Sequence, residues 1–195
     1  ESKIPEARKR IKKMLMCPEN APATSGAVEA ILKADVLIFG PGSLYTSVIP
    51  NLLVKEIREA VVKSEAVKIY VCNVMTQPGE TDGYGAFEHV KALLDHVGEQ
   101  FLDYVIVNDE KISAEQLKQY FAEGAMPVTP DIDKIRRLGI TVVPASLISK
   151  KNLVRHEPKK LSRVLITLIY RLRLFGKGVQ FFDYIFMRHG LKSSL

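Results

Sequence analysis

The polar residues that could do chemistry gather in two stretches of this 195-residue chain. The first is Gly40-Pro41-Gly42-Ser43, followed by Thr46. Glycines let backbone approach a ligand closely, and the N–H groups of a helix start just beyond them suit an anion. Ser43 reads as the N-cap of a helix from Leu44, and its hydroxyl and that of Thr46 are of a kind that reaches phosphate oxygens. The second stretch is Asn73 to Gly85, where Asn73, Thr76, Gln77, Glu80, Thr81 and Asp82 share one run with Gly79, Gly83 and Gly85. A plain connection needs only a few residues, and a long polar loop of this kind usually binds something. The chemistry implied is capture of a phosphate or nucleotide.

Neither stretch carries a decisive motif alone. Tyr45 stands where a dinucleotide fingerprint needs its third glycine, and the lysine of a phosphate-binding P-loop is lacking. Glu80 and Asp82 have two readings: contact with a ribose hydroxyl or a phosphate-held Mg²⁺, or solvated carboxylates at a helix start. His89 and His96 lie seven apart with no third ligand in spacing, so no metal site is expected. No Ser–His–Asp or Cys–His grouping can be assembled from residue order, and catalytic residues stay unassigned. Arg155 and His156 follow a predicted strand, where they could meet an anion or form a surface pair.

The elements that position these stretches read as alternating strands and helices. Val36 to Gly40, Val67 to Val74, Phe101 to Asn108 and Ile140 to Val143 are apolar runs of strand length. Helices are expected at Glu29 to Lys33, from Leu44 to 63 after a break at Pro50, and at Ala86 to Val97. Further helices are expected at Ala114 to Glu123 between a Ser113 cap and Gly124, at Pro130 to Leu138, and at Glu157 to Arg173. The last is amphipathic, with Leu161, Val164, Leu165, Leu168, Ile169 and Leu172 on one face. A strand is also expected near Ile11 to Met16, and a loop with a short strand from Ser146 to Arg155. Alternation of this kind predicts an α/β fold, a Rossmann-like doubly wound, mainly parallel sheet with helices on both faces. In such a sheet the ligand loops share the carboxyl edge of the strands.

Composition sets outer bounds. Hydrophobic residues make up 47% and charged residues 26%, ordinary for a globular chain, and the net charge is +6. Much of that excess lies in Lys3 to Lys13 and Lys150 to Arg173. No aromatic residues are interleaved as a single-strand binder needs, so no nucleic acid partner is expected. Cys17 and Cys72 have neither metal nor redox spacing, which suits a reducing, cytoplasmic location. No transmembrane segment is expected, because the greasiest run, Val164 to Ile169, is soon interrupted by Arg171 and Arg173. The tail, residues 174–195, shows no clean period; packing on the body or a partner is favoured over a peripheral membrane contact, and homo-oligomerisation stays open.

The stretches A-D-V-L-I-F-G-P-G-S-L-Y-T-S-V-I-P-N-L-L-V and V-C-N-V-M-T-Q-P-G-E-T-D-G-Y closely resemble the YvcK-type gluconeogenesis factors of bacteria. These belong to a superfamily with 2-phospho-L-lactate transferase. The resemblance runs from I-P-E-A at Ile4 to L-V-R-H-E-P at Leu153 to Pro158. It implies one Rossmann-like domain over 1–173 followed by a variable tail, and a regulatory role in carbon metabolism, cell shape and wall synthesis. It also implies binding of a uridine diphosphate sugar such as UDP-N-acetylglucosamine. Carried over, the pocket uses Gly40, Gly42, Ser43 and Thr46 from the first loop. Asn73, Thr76, Gln77, Gly79, Glu80 and Thr81 come from the second, with Tyr120 and Arg155 from further on. The alternative it implies is a transferase of a phosphorylated group; no motif requires a cofactor, and Mg²⁺ held by a bound nucleotide is the one candidate. Members of that group open with a strand, a G-G-T-G-like loop and an Asp- and Gly-rich segment. Glu1 aligns with the middle of such a protein, so the resemblance implies a carboxyl-terminal half with part of the pocket elsewhere.

Overall fold

In the computed structural model, residues 3–7, 9–149 and 154–175 are described. Four parallel strands form the sheet: β1 (Val36–Phe39), β2 (Val67–Val71), β3 (Tyr104–Asn108) and β4 (Thr141–Ala145), in the order β1-β2-β3-β4. The register sets Phe39 against Tyr70, Val71 against Ile106 and Asn108 against Ala145. All five residues of β2 are buried, Lys68 included, as expected of a central parallel strand covered on both faces.

Helices cover both faces. On one side pack α3 (Ile49–Leu53), α4 (Lys55–Lys63), α5 (Ala86–Val97) and α7 (Ile132–Arg136), against Tyr70, Cys72, Val105, Val107 and Val142. These helices lie in the crossovers between neighbouring strands, and right-handed crossovers that always step the same way keep their helices on one face. The other face, with Ile69, Val71, Tyr104, Ile106 and Val143, receives α8 (Pro158–Phe175) through Leu161, Leu168 and Leu172. This matches the face expected for that helix. Among the described strands the order never reverses, so the switch point of a doubly wound sheet does not fall between them. β1 pairs only with β2 there, and Ile38 on it is exposed.

The remaining helices are α1 (Ile4–Ala7), α2 (Ser25–Lys33) and α6 (Ala114–Glu123). The Ser113 hydroxyl accepts the Gln116 N–H, and Gly124 follows in the left-handed region, so both expected caps of α6 are present.

Several boundaries differ from the sequence reading. No strand forms near Ile11 to Met16: Ile11 and Met14 pack on the core, and Met14 N–H donates to the His96 side chain, at Nε2, at 3.1 Å. β2 ends at Val71 rather than Val74 because the chain leaves the sheet, and Thr76 and Val74 pair instead with Met126 and Val128. Phe101 and Leu102 are buried but precede β3, and β4 runs on to Ala145. Among the described residues of the Ser146 to Arg155 segment, Ile148 forms an isolated antiparallel bridge with His156. Most of the tail lies outside the described residues.

Leu168 is 1% exposed at the centre of the α8 face. Leu168→Ala is expected to cost about 2–5 kcal/mol, transfer plus cavity. In urea the midpoint should fall while the slope of the transition is unchanged.

Candidate functional site

Gly40 has φ +81, and a Cβ there would sit 3.0 Å from Val71 O. The turn after β1 therefore lies hard against the end of β2, a path open only to glycine. Beyond Ser43 the backbone does not start an ordinary α-helix. Val48 N donates to Ser43 O at 3.0 Å and Ile49 N to Leu44 O, bonds of i→i+5 type that make Leu44–Val48 a π-helical turn. The Ser43 side chain makes no capping bond; only its carbonyl is used.

An anion does occupy this helix start, and it belongs to the protein. Tyr45 N donates to Glu80 Oε1 at 2.8 Å, and both residues are buried. The two polar stretches are joined through this bond. Glu80 is thus neither a solvated carboxylate nor a free metal ligand. Asp82 is exposed, but its Oδ2 accepts the Gly79 N–H at 2.6 Å within the same loop. Each of these carboxylates gives one oxygen to a main-chain amide, which fixes its place in the loop. Among the described residues no group of three or more His, Cys, Asp and Glu could hold a metal.

The other residues of the second loop divide into scaffold and rim. Thr76 is buried; its N–H donates to Met126 O and its Oγ1 accepts the Met126 N–H, both at 2.8 Å. Thr81, fully buried, accepts the Gln77 N–H at 2.9 Å. Gln77 Oε1 is buried with no partner among the described residues. Gly79 has φ +78, which the tight turn onto Asp82 requires. Gly79, Glu80 and Tyr84 line a cavity of about 350 Å³ together with Lys9 and Arg10. The Arg10 guanidinium lies 5.8 Å from the Tyr84 ring centroid, and no motif singled out that basic segment as part of the site.

Asn73 sits half-buried where β2 gives way to this loop. Beside it, His156 Nε2 donates to Cys72 O at 3.2 Å, which brings the distant Arg155–His156 pair to the end of β2. Tyr120 OH accepts the Val154 N–H at 2.9 Å. Tyr120 therefore positions the segment that carries Arg155, whose side chain is exposed. Asn108, at the end of β3, holds the neighbouring loops by accepting from Leu147 N and donating to Glu110 O. α6, through Leu117 and Tyr120, packs with Val74, Met75, Ile148 and Val154 at this edge. The carboxyl edge thus stays open at the Gly40–Ser43 turn, Asn73 and Arg155.

A further cavity of about 470 Å³ opens on the outer side of that turn, lined by Gly40, Gly42, Ser47 and Asn51 with apolar residues such as Leu37 and Ile57. Asn51 and Ser47 were missed by sequence reasoning, because they belong to the helical segment after the turn rather than to a loop. Thr46 is half-buried and engaged in an interaction of its own.

With the geometry in place, comparison with known proteins is decisive. Residues 1–148 match the family described as 2-phospho-L-lactate transferase CofD. The chain belongs to the CofD family. It is 45% identical to the gluconeogenesis factor of Bacillus subtilis over 170 residues, covering 87% of this chain and 54% of that protein. A Nostoc sp. protein named "Putative gluconeogenesis factor" is 46% identical over 169 residues, covering 85% of this chain and 37% of its own length. Two crystal structures of a Bacillus halodurans protein, one described as a member of the UPF0052 family, superpose with a TM-score of 0.81 at 43% and 44% identity, over 85% of this chain and 53% of theirs. The CofD-family chain here spans about half the length of most of the relatives it matches.

Apart from Glu80, burial disfavours charge on the titratable groups inside this site. Burial, reinforced by the bond to Tyr84, raises the Tyr45 phenol far above its ordinary range. Burial pushes the Cys72 thiol up to about 12. Burial lowers both His89 and His156 below 6.5; hydrogen bonds to the Gly85 and Cys72 carbonyls offset it in part.

Two outcomes follow from these contacts. Glu80→Ala leaves the buried Tyr45 N–H unpaired and should cost about 1–3 kcal/mol, whereas Glu80→Gln, which keeps an acceptor, should cost less. Chemical denaturation of both variants checks the order. For the histidines, the folded pKa lies below the unfolded one, so the unfolded chain takes up protons first as pH falls. The stability they contribute is complete above about 6.5 and is lost as pH drops below it. The thermal midpoint should fall between pH 7 and about 5.5, and less so in His89→Gln.

Proposed function

We propose that this chain contributes to a nucleotide-sugar site and serves a regulatory protein of gluconeogenic growth, cell shape and cell-wall synthesis. A uridine diphosphate sugar such as UDP-N-acetylglucosamine is the ligand class. The observation that carries the reading is the junction of the two polar stretches, Tyr45 N–H to Glu80, which sets the glycine turn, Asn73 and Arg155 along one open sheet edge. Ligands of open α/β sheets lie at that edge.

On this reading Arg155 supplies the positive charge for the diphosphate, and Asn73 supplies an amide that can both donate and accept. Gln77 Oε1, buried without a partner, offers an acceptor to a ligand N–H. Tyr120 acts through the backbone that it anchors at Val154. The names of the relatives support the metabolic assignment: several are gluconeogenesis factors. They also span nearly twice the matched length, so the complete site is assigned to the full-length protein.

The second reading, transfer of a phosphorylated group, is favoured by the family match over residues 1–148. Glu80 and Asp82 each give one oxygen to a main-chain amide and so help to shape the loop.

Calorimetric titration of the full-length protein with UDP-N-acetylglucosamine separates the two. Binding without turnover is expected, weakened about tenfold or more in Arg155→Ala, the loss of one charge-assisted contact. Asn73→Ala should also weaken it, and Tyr120→Phe should do so through its loss of positioning. Absence of heat, or variants that bind as the parent does, would overturn the proposal. Product from a panel of phosphorylated acids would replace it with the transferase.

A further inference from the structure

α8 is the one helix among the described residues that packs on its face of the sheet. Its inward side is taken up by Leu161, Leu168 and Leu172. Its outward side carries Lys159, Arg163, Ile166, Tyr170 and Arg173, all exposed, at successive spacings of four, three, four and three. That is the spacing of a heptad seam, the row of positions through which one helix meets another. Ile166, Tyr170 and Leu174 remain 67%, 63% and 56% exposed. Single exposed apolar residues are ordinary, but here three lie along one row.

The charge of the helix is one-sided. From Pro158 to Phe175 it holds five basic residues and no acidic one. Lys160 is paired with Glu110 at 3.0 Å, and Arg171 has an interaction of its own. Lys159, Arg163 and Arg173 join no ion pair among the described residues and stand in line with the apolar row.

We propose that this outer seam of α8 docks an acidic amphipathic α-helix of a partner protein. Its apolar residues would pack on Ile166, Tyr170 and Leu174, and its carboxylates would face Lys159, Arg163 and Arg173. Charge disfavours the alternatives. A second copy would bring Arg163 against Arg163 in a parallel pair, or Lys159 against Arg173 in an antiparallel one. Residues 176–195 of this chain hold three Lys and Arg and a single Asp, so they are not the acidic complement. A helix lying in a bilayer surface keeps its basic residues on the flanks of the apolar sector. Here Arg163 and Arg173 would be carried in with Ile166 and Tyr170.

The test uses the 195-residue chain and two labelled synthetic helices of three heptads, both with leucine in the seam. One is flanked by glutamate, the other by lysine. Fluorescence anisotropy should show the glutamate helix binding and the lysine helix not. Arg163→Glu with Arg173→Glu should weaken the glutamate helix about tenfold or more and bring in the lysine helix. Ile166→Ser with Tyr170→Ser should weaken binding without reversing the charge preference. These side chains are exposed, so an unchanged thermal midpoint identifies a folded variant. No binding of the glutamate helix up to about 0.1 mM would overturn the proposal. So would binding unaffected by the substitutions, sedimentation with phosphatidylserine vesicles in place of peptide binding, or a self-association abolished by Ile166→Ser.

Discussion

The site depends on one buried contact between parts of the chain 35 residues apart: the Glu80 carboxylate on the Tyr45 amide. A glycine turn that leads into a helix start leaves N–H groups without intrahelical partners. In a buried setting such donors must be met, and a carboxylate is the strongest acceptor the chain has. By meeting one of them, Glu80 fastens the second loop to the first. The rest of that loop is then arranged around a fixed point: Gly79 turns onto Asp82, Thr81 closes back on Gln77, and Thr76 ties the loop to Met126.

Beyond Glu80, further charge in this interior is disfavoured. Once one carboxylate is buried beside Tyr45, further charge nearby would repel it or remain unsolvated. In the same interior, burial raises the Tyr45 phenol and the Cys72 thiol and lowers the His89 imidazole, which disfavours the charged form of each. Tyr45 OH and Tyr84 OH share a hydrogen bond of 2.8 Å, and the Tyr84 ring stands edge-on to His89. The free positive charge is left at the periphery, on Arg155 and on the Lys9–Arg10 segment.

Much of this arrangement was legible in the residues. Mainly apolar runs of strand length marked four strands, and the Ser113 and Gly124 caps bounded α6 to the residue. The likeness to CofD-superfamily proteins stood on two long motifs and is confirmed by the family match. The mistaken details have local causes. The strand predicted near Ile11 to Met16 had the right apolarity but lacks a ladder partner, which no local pattern reports. Ser43 had the right type for a cap, but the π-helical turn draws on its carbonyl instead of its hydroxyl. The reading of Glu80 as a solvated carboxylate fails because the residue is buried, a fact of tertiary structure. Tyr120 and His156 touch partners 34 and 84 residues away, distances over which sequence spacing carries no information.

The way the strands are wound explains why the two faces of the sheet differ. Crossovers that step from β1 to β4 without reversal place α3, α4, α5 and α7 together, and both polar loops emerge from that layer. Loops rooted in one layer can be locked to each other by a single contact such as Tyr45 to Glu80. The opposite face has no crossover helix of its own among the described strands, so its apolar residues depend on α8, supplied from beyond β4. A lone helix there buries one side and leaves the other to solvent. The layer that builds the site is therefore internally committed, whereas the layer that closes the sheet keeps an open side.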